Sequence, residues 1–296
     1  MYGVVDIGSN TIRLNIYKVH EDDFTLVLKN KIYAGLAGYI NDGRLSMEGI
    51  QKASSVLYEF KKITDNLNIK DILIFATASI RNISNSNEAR LIIEKLTGLK
   101  IDILSESDEG TLGYKGAIFD VNTDYGVLVD IGGSSTEIVN FSDQKIISAL
   151  STRMGSLNMF INHVENILPD KREIKNMRKS ATEILEGIYL GDKSLELVGV
   201  GGTIRACLNI NNYINKLDKS NRKISIEQLD DILDRFSGDF NSKKEIILKV
   251  CPERVHTIIP GLCILKSIVK KFPIKGIIVS EYGVREGYLW RKVISN

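Results

Sequence analysis

The chain has 296 residues, 43% hydrophobic and 26% charged, which is ample for two globular domains. Its 39 basic and 37 acidic residues leave a net charge of +2, so the molecule is no polycation and DNA binding is not expected. Three cysteines (Cys207, Cys251, Cys263) and three histidines (His20, His163, His256) are scattered without CxxC or metal-ligand spacing, which excludes a zinc site and a disulfide framework and fits a reducing, cytoplasmic setting.

The N-terminus, MYGVVDIGSN, opens directly on a strand-like run. It lacks the basic segment and apolar core of a signal peptide, and no stretch approaches the roughly 18 apolar residues of a membrane span, so no membrane association is expected. Gly3–Ile7, Thr11–Val19 and Phe24–Lys29 read as three strands, the first two joined by a turn at Asp6–Asn10. Ser46 opens a helical pattern with Ile50, Ala53, Leu57, Phe60 and Leu67 on one face. A buried-type strand over Asp71–Ala76 precedes a helix over Glu88–Leu96 that Gly98 stops. Ile101–Leu104 is strand-like again, and Asp108 and Glu109 begin the next helix.

The pattern then restarts. Tyr125–Ile131 is a strand, Gly132–Ser135 a turn, and Thr136–Phe141 and Lys145–Leu150 are strands. A strand at Leu195–Val200 runs into a third glycine turn, Gly199-Val-Gly201-Gly202-Thr203, with a helix from near Ile204. Capping boxes at Ser225/Gln228 and Ser242/Glu245 open two later helices, and the strand Gly276–Val279 leads into a last helix from about Arg285. Val4–Thr11 and Leu128–Thr136 share one design: a buried strand ending in Asp-Ile-Gly, small polar residues, then another strand. This predicts two homologous α/β domains, 1–121 and 122–296, with a ligand cleft between them and a short hinge near Val121–Asp124.

Hairpins rich in Gly and Ser let backbone N–H groups converge on one anion. Gly8, Ser9, Asn10 and Thr11 in the first loop, and Gly132, Gly133, Ser134, Ser135 and Thr136 in the second, are the candidate phosphate-binding residues. Asp6 and Asp130 end the strands before these loops, where a carboxylate can hold Mg²⁺ directly or through water. Gly201, Gly202 and Thr203 stand between a strand and a helix, the geometry for an anion at a helix N-terminus.

Taken with these loops, ATASIRN at 76–82, ILSESDEG at 103–110, RMGSLNMF at 153–160, VGVGGTIRA at 198–206, ERVHTIIPGLCIL at 253–265 and SEYGVREGYL at 280–289 make the chain resemble, end to end, the exopolyphosphatase/guanosine pentaphosphate phosphohydrolase family, in its short two-domain form. The resemblance implies two RNase H-like domains of the sugar kinase/actin-like fold. It implies Mg²⁺-dependent hydrolysis of the terminal phosphoanhydride of inorganic polyphosphate, with the 5′-phosphate of guanosine pentaphosphate as the alternative substrate. A phosphotransferase of the same fold and a guanosine polyphosphate-binding sensor remain open, as does a homodimer. By position, the resemblance makes Glu109 the general base and Arg81 a phosphate clamp, and sets Asp130 and Glu137 as the acids flanking the second loop, with Asp6 mirroring Asp130. Around the base this chain reads Asp108-Glu109-Gly110-Thr111, where many relatives have Glu-Glu-Ala-Arg. Lys171, Arg172, Lys175, Arg205, Arg254, Lys266, Lys270 and Lys271 are candidates for a track along a long anion, and Arg285-Glu286 for an ion pair at the start of the last helix.

Overall fold

The computed structural model describes residues 1–21, 23–69, 71–191, 193, 195–238 and 240–295. The three N-terminal extended runs are β1 (Tyr2–Ile7), β2 (Thr11–His20) and β3 (Asp23–Tyr33). A small hairpin, β4 (Ile40–Asn41) and β5 (Arg44–Leu45), precedes helix α1 (Met47–Asn66). Ser46 caps α1 as its spacing predicts: its hydroxyl accepts the Gly49 N–H at 3.3 Å, and Ile50, Ala53, Leu57 and Phe60 are buried. Leu67, expected on the same face, is instead the C-cap residue and 45% exposed. Next come β6 (Asp71–Ala76), the short α2 (Ala78–Arg81), α3 (Ser86–Thr97) and β7 (Asp102–Ile103). Gly98 ends α3 with φ +71°, a conformation that suits glycine.

These strands form a sheet in the order β3-β2-β1-β6-β7, antiparallel through β3-β2-β1 and parallel through β1-β6-β7. After α4 (Glu106–Ala117) the design repeats with β8 (Tyr125–Ile131), β9 (Thr136–Ser142), β10 (Lys145–Thr152), α5 (Ser156–His163), α6 (Lys171–Leu185), β11 (Leu195–Val200) and α7 (Gly201–Ile214). It finishes with β12 (Lys223–Ile224), α8 (Ile226–Ser237), α9 (Phe240–Val250), α10 (Ile258–Lys271), β13 (Ile274–Val279) and α11 (Val284–Leu289). The second sheet runs β10-β9-β8-β11-β13, antiparallel and then parallel at the matching places, with β12 added antiparallel at one edge. Counted from its own first strand, and with the edge strand β12 set aside, each sheet therefore reads 3-2-1-4-5. The twin Asp-Ile-Gly motifs mark a duplication of the whole unit.

The chain divides into two compact units, Met1–Glu109 with Arg285–Asn296, and Gly110–Val284. This differs from the expected 1–121 and 122–296. The reason lies on one face of α4. A Cβ on Gly110 would stand 3.2 Å from Val139 Cγ2, and one on Gly116 would stand 1.9 Å from the Gly283 carbonyl oxygen. Only glycine permits that approach, and Tyr114 and Ala117 join Leu128, Val139, Phe141, Val198 and Val200 in one apolar cluster. From Gly110 onward α4 is thus part of the second unit's core. Reciprocally, the residues from Arg285 belong to the first unit. A reading by contiguous segments does not find such an exchange.

The first unit's main core gathers Ile7, Leu14, Leu57, Phe60 and Ile74; the second unit's gathers Val127, Ile138, Met177, Leu197 and Ile264. Full burial of each such side chain contributes about 1.5–3 kcal/mol. The box at Ser225/Gln228 is present in both directions, and a second one at Asp170/Glu173, not expected from the sequence, opens α6. Ser242, expected to cap the later helix in a box with Glu245, lies inside the first turn of α9, which begins at Phe240. No helix among the described residues is long and apolar enough to cross a membrane.

The C-terminal segment is held to the first unit by polar contacts. Tyr288 Oη donates to Asp102 at 2.6 Å, Lys292 Nζ lies 2.7 Å from the same carboxylate, and Arg291 Nη1 lies 2.5 Å from Asp108. The hydrogen bond from Ser105, and then Arg291, hold the Asp108 carboxyl below the usual carboxylate range. Burial opposes ionisation of Asp102, but the hydrogen bonds from Lys292 and Tyr288 outweigh it and lower that group too. A carboxyl depressed on folding stabilises above its ordinary range, near pH 4, and that stabilisation is lost as pH falls through the folded value. The wild type should therefore lose more thermal stability between pH 5 and pH 3 than Asp102→Asn/Asp108→Asn does. The difference should stay near 1 kcal/mol, since both carboxylates are partly exposed. Parallel melting curves for the two proteins across that range would refute the assignment.

Candidate active site

Both Asp-Ile-Gly loops close in the same way. The Gly8 N–H donates to the Thr11 carbonyl at 3.1 Å, and the Gly132 N–H donates to the Ser135 carbonyl at 2.9 Å. These two amides therefore shape the turns and are not available to an anion. A hydroxyl from the next strand–helix junction braces each loop. Ser79 Oγ donates to the Ile7 carbonyl at 2.7 Å, and Thr203 Oγ1 donates to the Ile131 carbonyl at 2.8 Å. The second loop is braced again from α5: the N–H and hydroxyl of Ser156 both donate to the Gly132 carbonyl, and Asn158 Nδ2 donates to the Ser134 carbonyl at 3.0 Å.

These contacts sort the predicted loop residues. Gly8, Asn10, Thr11, Gly132, Gly133, Ser134, Gly201 and Gly202 remain partly exposed, as a ligand requires. Ser9 and Ser135 are buried. Thr136, fully buried, donates its hydroxyl to the Met154 carbonyl, and Thr203 is the buried brace just described. Both hydroxyls donate to backbone carbonyls. The helix after the third glycine turn starts at Gly201 and not near Ile204.

In the first unit, Arg81 ends α2 and Glu109 lies in the first turn of α4, which Ser105 opens: the Asp108 N–H donates to Ser105 Oγ at 3.0 Å, and the Glu109 N–H to the Ser105 carbonyl. Arg81 Nη1 donates to Glu109 Oε2 at 2.7 Å and to the Leu104 carbonyl at 3.0 Å. The two side chains are only 12% and 11% exposed. Arg81 Nη2 is buried and has no hydrogen-bond partner among the described residues. A buried guanidinium N–H₂ without an acceptor is costly unless an anion completes it. The predicted clamp and the predicted base thus form one unit, and its open donor calls for a further acceptor.

The acids divide unequally between the halves. In the β8–β9 ladder Asp130 stands directly opposite Glu137, so both side chains lie on one face of the sheet. In the β1–β2 ladder Asp6 stands opposite Arg13, and its carboxylate lies 3.3 Å from Arg285 Nη1. Asp6, expected as a metal ligand, is engaged in an ion pair with Arg285. Arg285, expected with Glu286 in an ion pair at the start of the last helix, interacts electrostatically with both Glu286 and Asp6, and Glu286 also accepts from the Tyr17 hydroxyl.

Mg²⁺ asks for one or two carboxylates and fills its remaining positions with water and phosphate oxygens. The second half meets that demand. Among the described residues no group of three or more His, Cys, Asp or Glu side chains gathers, but Asp130 and Glu137 form the needed pair. Ser151 donates to Glu137 Oε1 at 2.9 Å and fixes that carboxylate. Gly201, at φ +80°, leaves open the space beside Asp130: a Cβ there would lie 2.0 Å from Asp130 Oδ1. The residues therefore fit a hard divalent cation.

Three of the eight basic residues expected along the second half make local contacts. Lys266 pairs with Asp230 at 2.5 Å, Arg172 with Glu165 at 3.6 Å, and Lys271 donates to the Glu186 carbonyl.

Two sheets of this strand order, each closing its first strand on an Asp-Ile-Gly turn, define the RNase H-like, actin-like class of α/β protein. Comparison with known proteins narrows the class. Residues 15–296 match the model of the Ppx/GppA phosphatase family, and the chain belongs to that family of phosphatases. It is 29% identical over 295 residues to a bifunctional 3-dehydroquinate synthase/phosphatase of Fusobacterium nucleatum, covering 94% of this chain and 44% of that protein, so the chain spans less than half the length of that relative. A crystal structure of the Aquifex aeolicus Ppx/GppA family member superposes with a TM-score of 0.82 at 23% identity, covering 99% of this chain and 97% of the other. An exopolyphosphatase from Cytophaga hutchinsonii superposes with a TM-score of 0.83 at 22% identity, covering 98% and 96%. At those identities the two structures speak for the fold.

Proposed function

We propose that this phosphatase is an exopolyphosphatase that, with Mg²⁺, hydrolyses the terminal phosphoanhydride of inorganic polyphosphate and releases orthophosphate. The observation that carries the proposal is the buried, open N–H₂ of Arg81 beside the Glu109 carboxylate. A non-bridging oxygen of a terminal phosphoryl group is the acceptor that this donor lacks. Glu109 then takes the proton of the attacking water as that water displaces the rest of the chain, in its role as general base. Arg81 offsets the charge on the phosphoryl oxygens. The second unit, taken by itself, carries the partly exposed Gly132–Ser134 turn as a phosphate-binding element. Asp130 and Glu137 hold Mg²⁺, which when bound neutralises phosphate charge.

A direct test offers the purified protein long-chain polyphosphate, guanosine pentaphosphate and ATP separately, with Mg²⁺ and with EDTA, and measures released phosphate. Polyphosphate should give the highest kcat/KM, and EDTA should abolish release. Faster release from guanosine pentaphosphate would transfer the site to that substrate. ADP-dependent consumption of polyphosphate without free phosphate would make the protein a phosphotransferase.

A further inference from the structure

The duplication reaches further than the loops. In the first half the brace is Ser79, and Arg81 follows two residues later; in the second half the brace is Thr203, and Arg205 follows two residues later. Arg81 Nη1 donates to the Leu104 carbonyl at 3.0 Å, and Leu104 directly follows β7, the fifth strand of its sheet. Arg205 Nη1 donates to the Ser280 carbonyl at 3.2 Å, and Ser280 directly follows β13, the strand in the same place in its own sheet. The second anchor differs: Arg81 takes the Glu109 carboxylate, whereas Arg205 takes the Glu281 carbonyl at 3.2 Å.

We infer that Arg205 is a second substrate-binding arginine, one that recognises phosphates of the chain beyond the group held at the Gly132–Ser134 turn. Ligands of such sheets bind at the carboxyl ends of the parallel strands. The second loop, α7 and Ser280 follow β8, β11 and β13, three neighbours along that edge. Adjacent strands lie about 4.8 Å apart, so the anchor of Arg205 is about 10 Å along the edge from the loop that ends β8. That distance is too great for a single orthophosphate and suits a linear chain of three or more phosphates. Two carbonyls orient the guanidinium in advance, so little side-chain freedom is lost when an anion arrives. Arg205 is thus assigned to reading chain length. The assignment rests on the exopolyphosphatase proposal, which it refines.

The test compares wild type, Arg205→Gln and Arg205→Lys on pyrophosphate, tripolyphosphate and long-chain polyphosphate, by phosphate release and by equilibrium binding without Mg²⁺. Loss of one charged hydrogen-bond donor should raise KM and Kd for the two longer substrates about 10-fold. The values for pyrophosphate should change less than about 2-fold, and kcat less than about 3-fold. Lys keeps the charge and a donor for the carbonyls, so it should recover most of the binding; it also serves if Arg205→Gln does not fold. Equal losses at all chain lengths, unchanged binding at all of them, or a Lys variant no better than Gln with melting temperatures matched would overturn the inference while leaving the exopolyphosphatase proposal intact. A wild type that neither binds nor hydrolyses any phosphate chain overturns both.

Discussion

Glu109→Gln is expected to lower phosphate release about 10³-fold, the size of a general-base contribution, while binding of the uncleaved chain stays within a factor of about 3. Gln is the informative replacement because of what Glu109 touches. Its Oε2 accepts from Arg81, and both side chains are almost fully buried. Removing one partner of a buried ion pair costs up to about 3–5 kcal/mol, because the remaining charge is left unpaired. A Gln oxygen still accepts from Arg81, so the variant should melt closer to wild type than Glu109→Ala does, and the catalytic loss can then be separated from a folding loss. Turnover within about 10-fold of wild type, measured as released phosphate at saturating polyphosphate, would remove Glu109 from the role of base. If binding falls together with turnover, Glu109 acts by positioning Arg81.

The larger part of the fold is legible in the residues. Alternating and β-branched runs locate the long strands, Ser46 and Gly98 locate helix ends, and the two copies of Asp-Ile-Gly reveal the duplication. What is not legible depends on contacts far apart in sequence. Gly110, Gly113 and Gly116 recur at helical spacing, but their meaning as a packing face requires knowing that Gly283 and Val139 lie against them. Spacing across one turn places Asp130 opposite Glu137, since a hairpin register is local. The Arg285 partner of Asp6 is not legible in this way, because it comes from the other end of the chain. Hydroxyls were the poorest guide. Ser and Thr in glycine-rich turns suit phosphate and backbone equally well, and for Thr136 and Thr203 the backbone wins. One signal was present and unused: Ser79-Ile-Arg81 and Thr203-Ile-Arg205 repeat at matching places after the fourth strand of each half.

Gly201→Ala carries the second large effect, because a single methyl group acts on Asp130, an acid proposed to hold Mg²⁺. Residue 201 sits at φ +80°, where alanine is strained by about 1 kcal/mol or more. The new Cβ would stand 2.0 Å from Asp130 Oδ1 and 3.0 Å from its Cγ. The Asp130 backbone cannot retreat, since β8 is hydrogen-bonded to β9 on one side and β11 on the other. The carboxylate must therefore leave its present position. A metal ligand displaced in this way should raise the Mg²⁺ concentration for half-maximal activity about 10-fold or more and lower kcat/KM at fixed Mg²⁺ about 10²-fold. The mechanism makes a further demand. In an Asp130→Ala background the carboxylate that the methyl would strike is gone, so adding Gly201→Ala should cause little additional loss of activity and leave only the backbone strain, visible as a lower melting temperature. Mg²⁺ titrations of the four proteins of this cycle decide the matter: losses that multiply independently would show that Gly201 acts elsewhere than on Asp130.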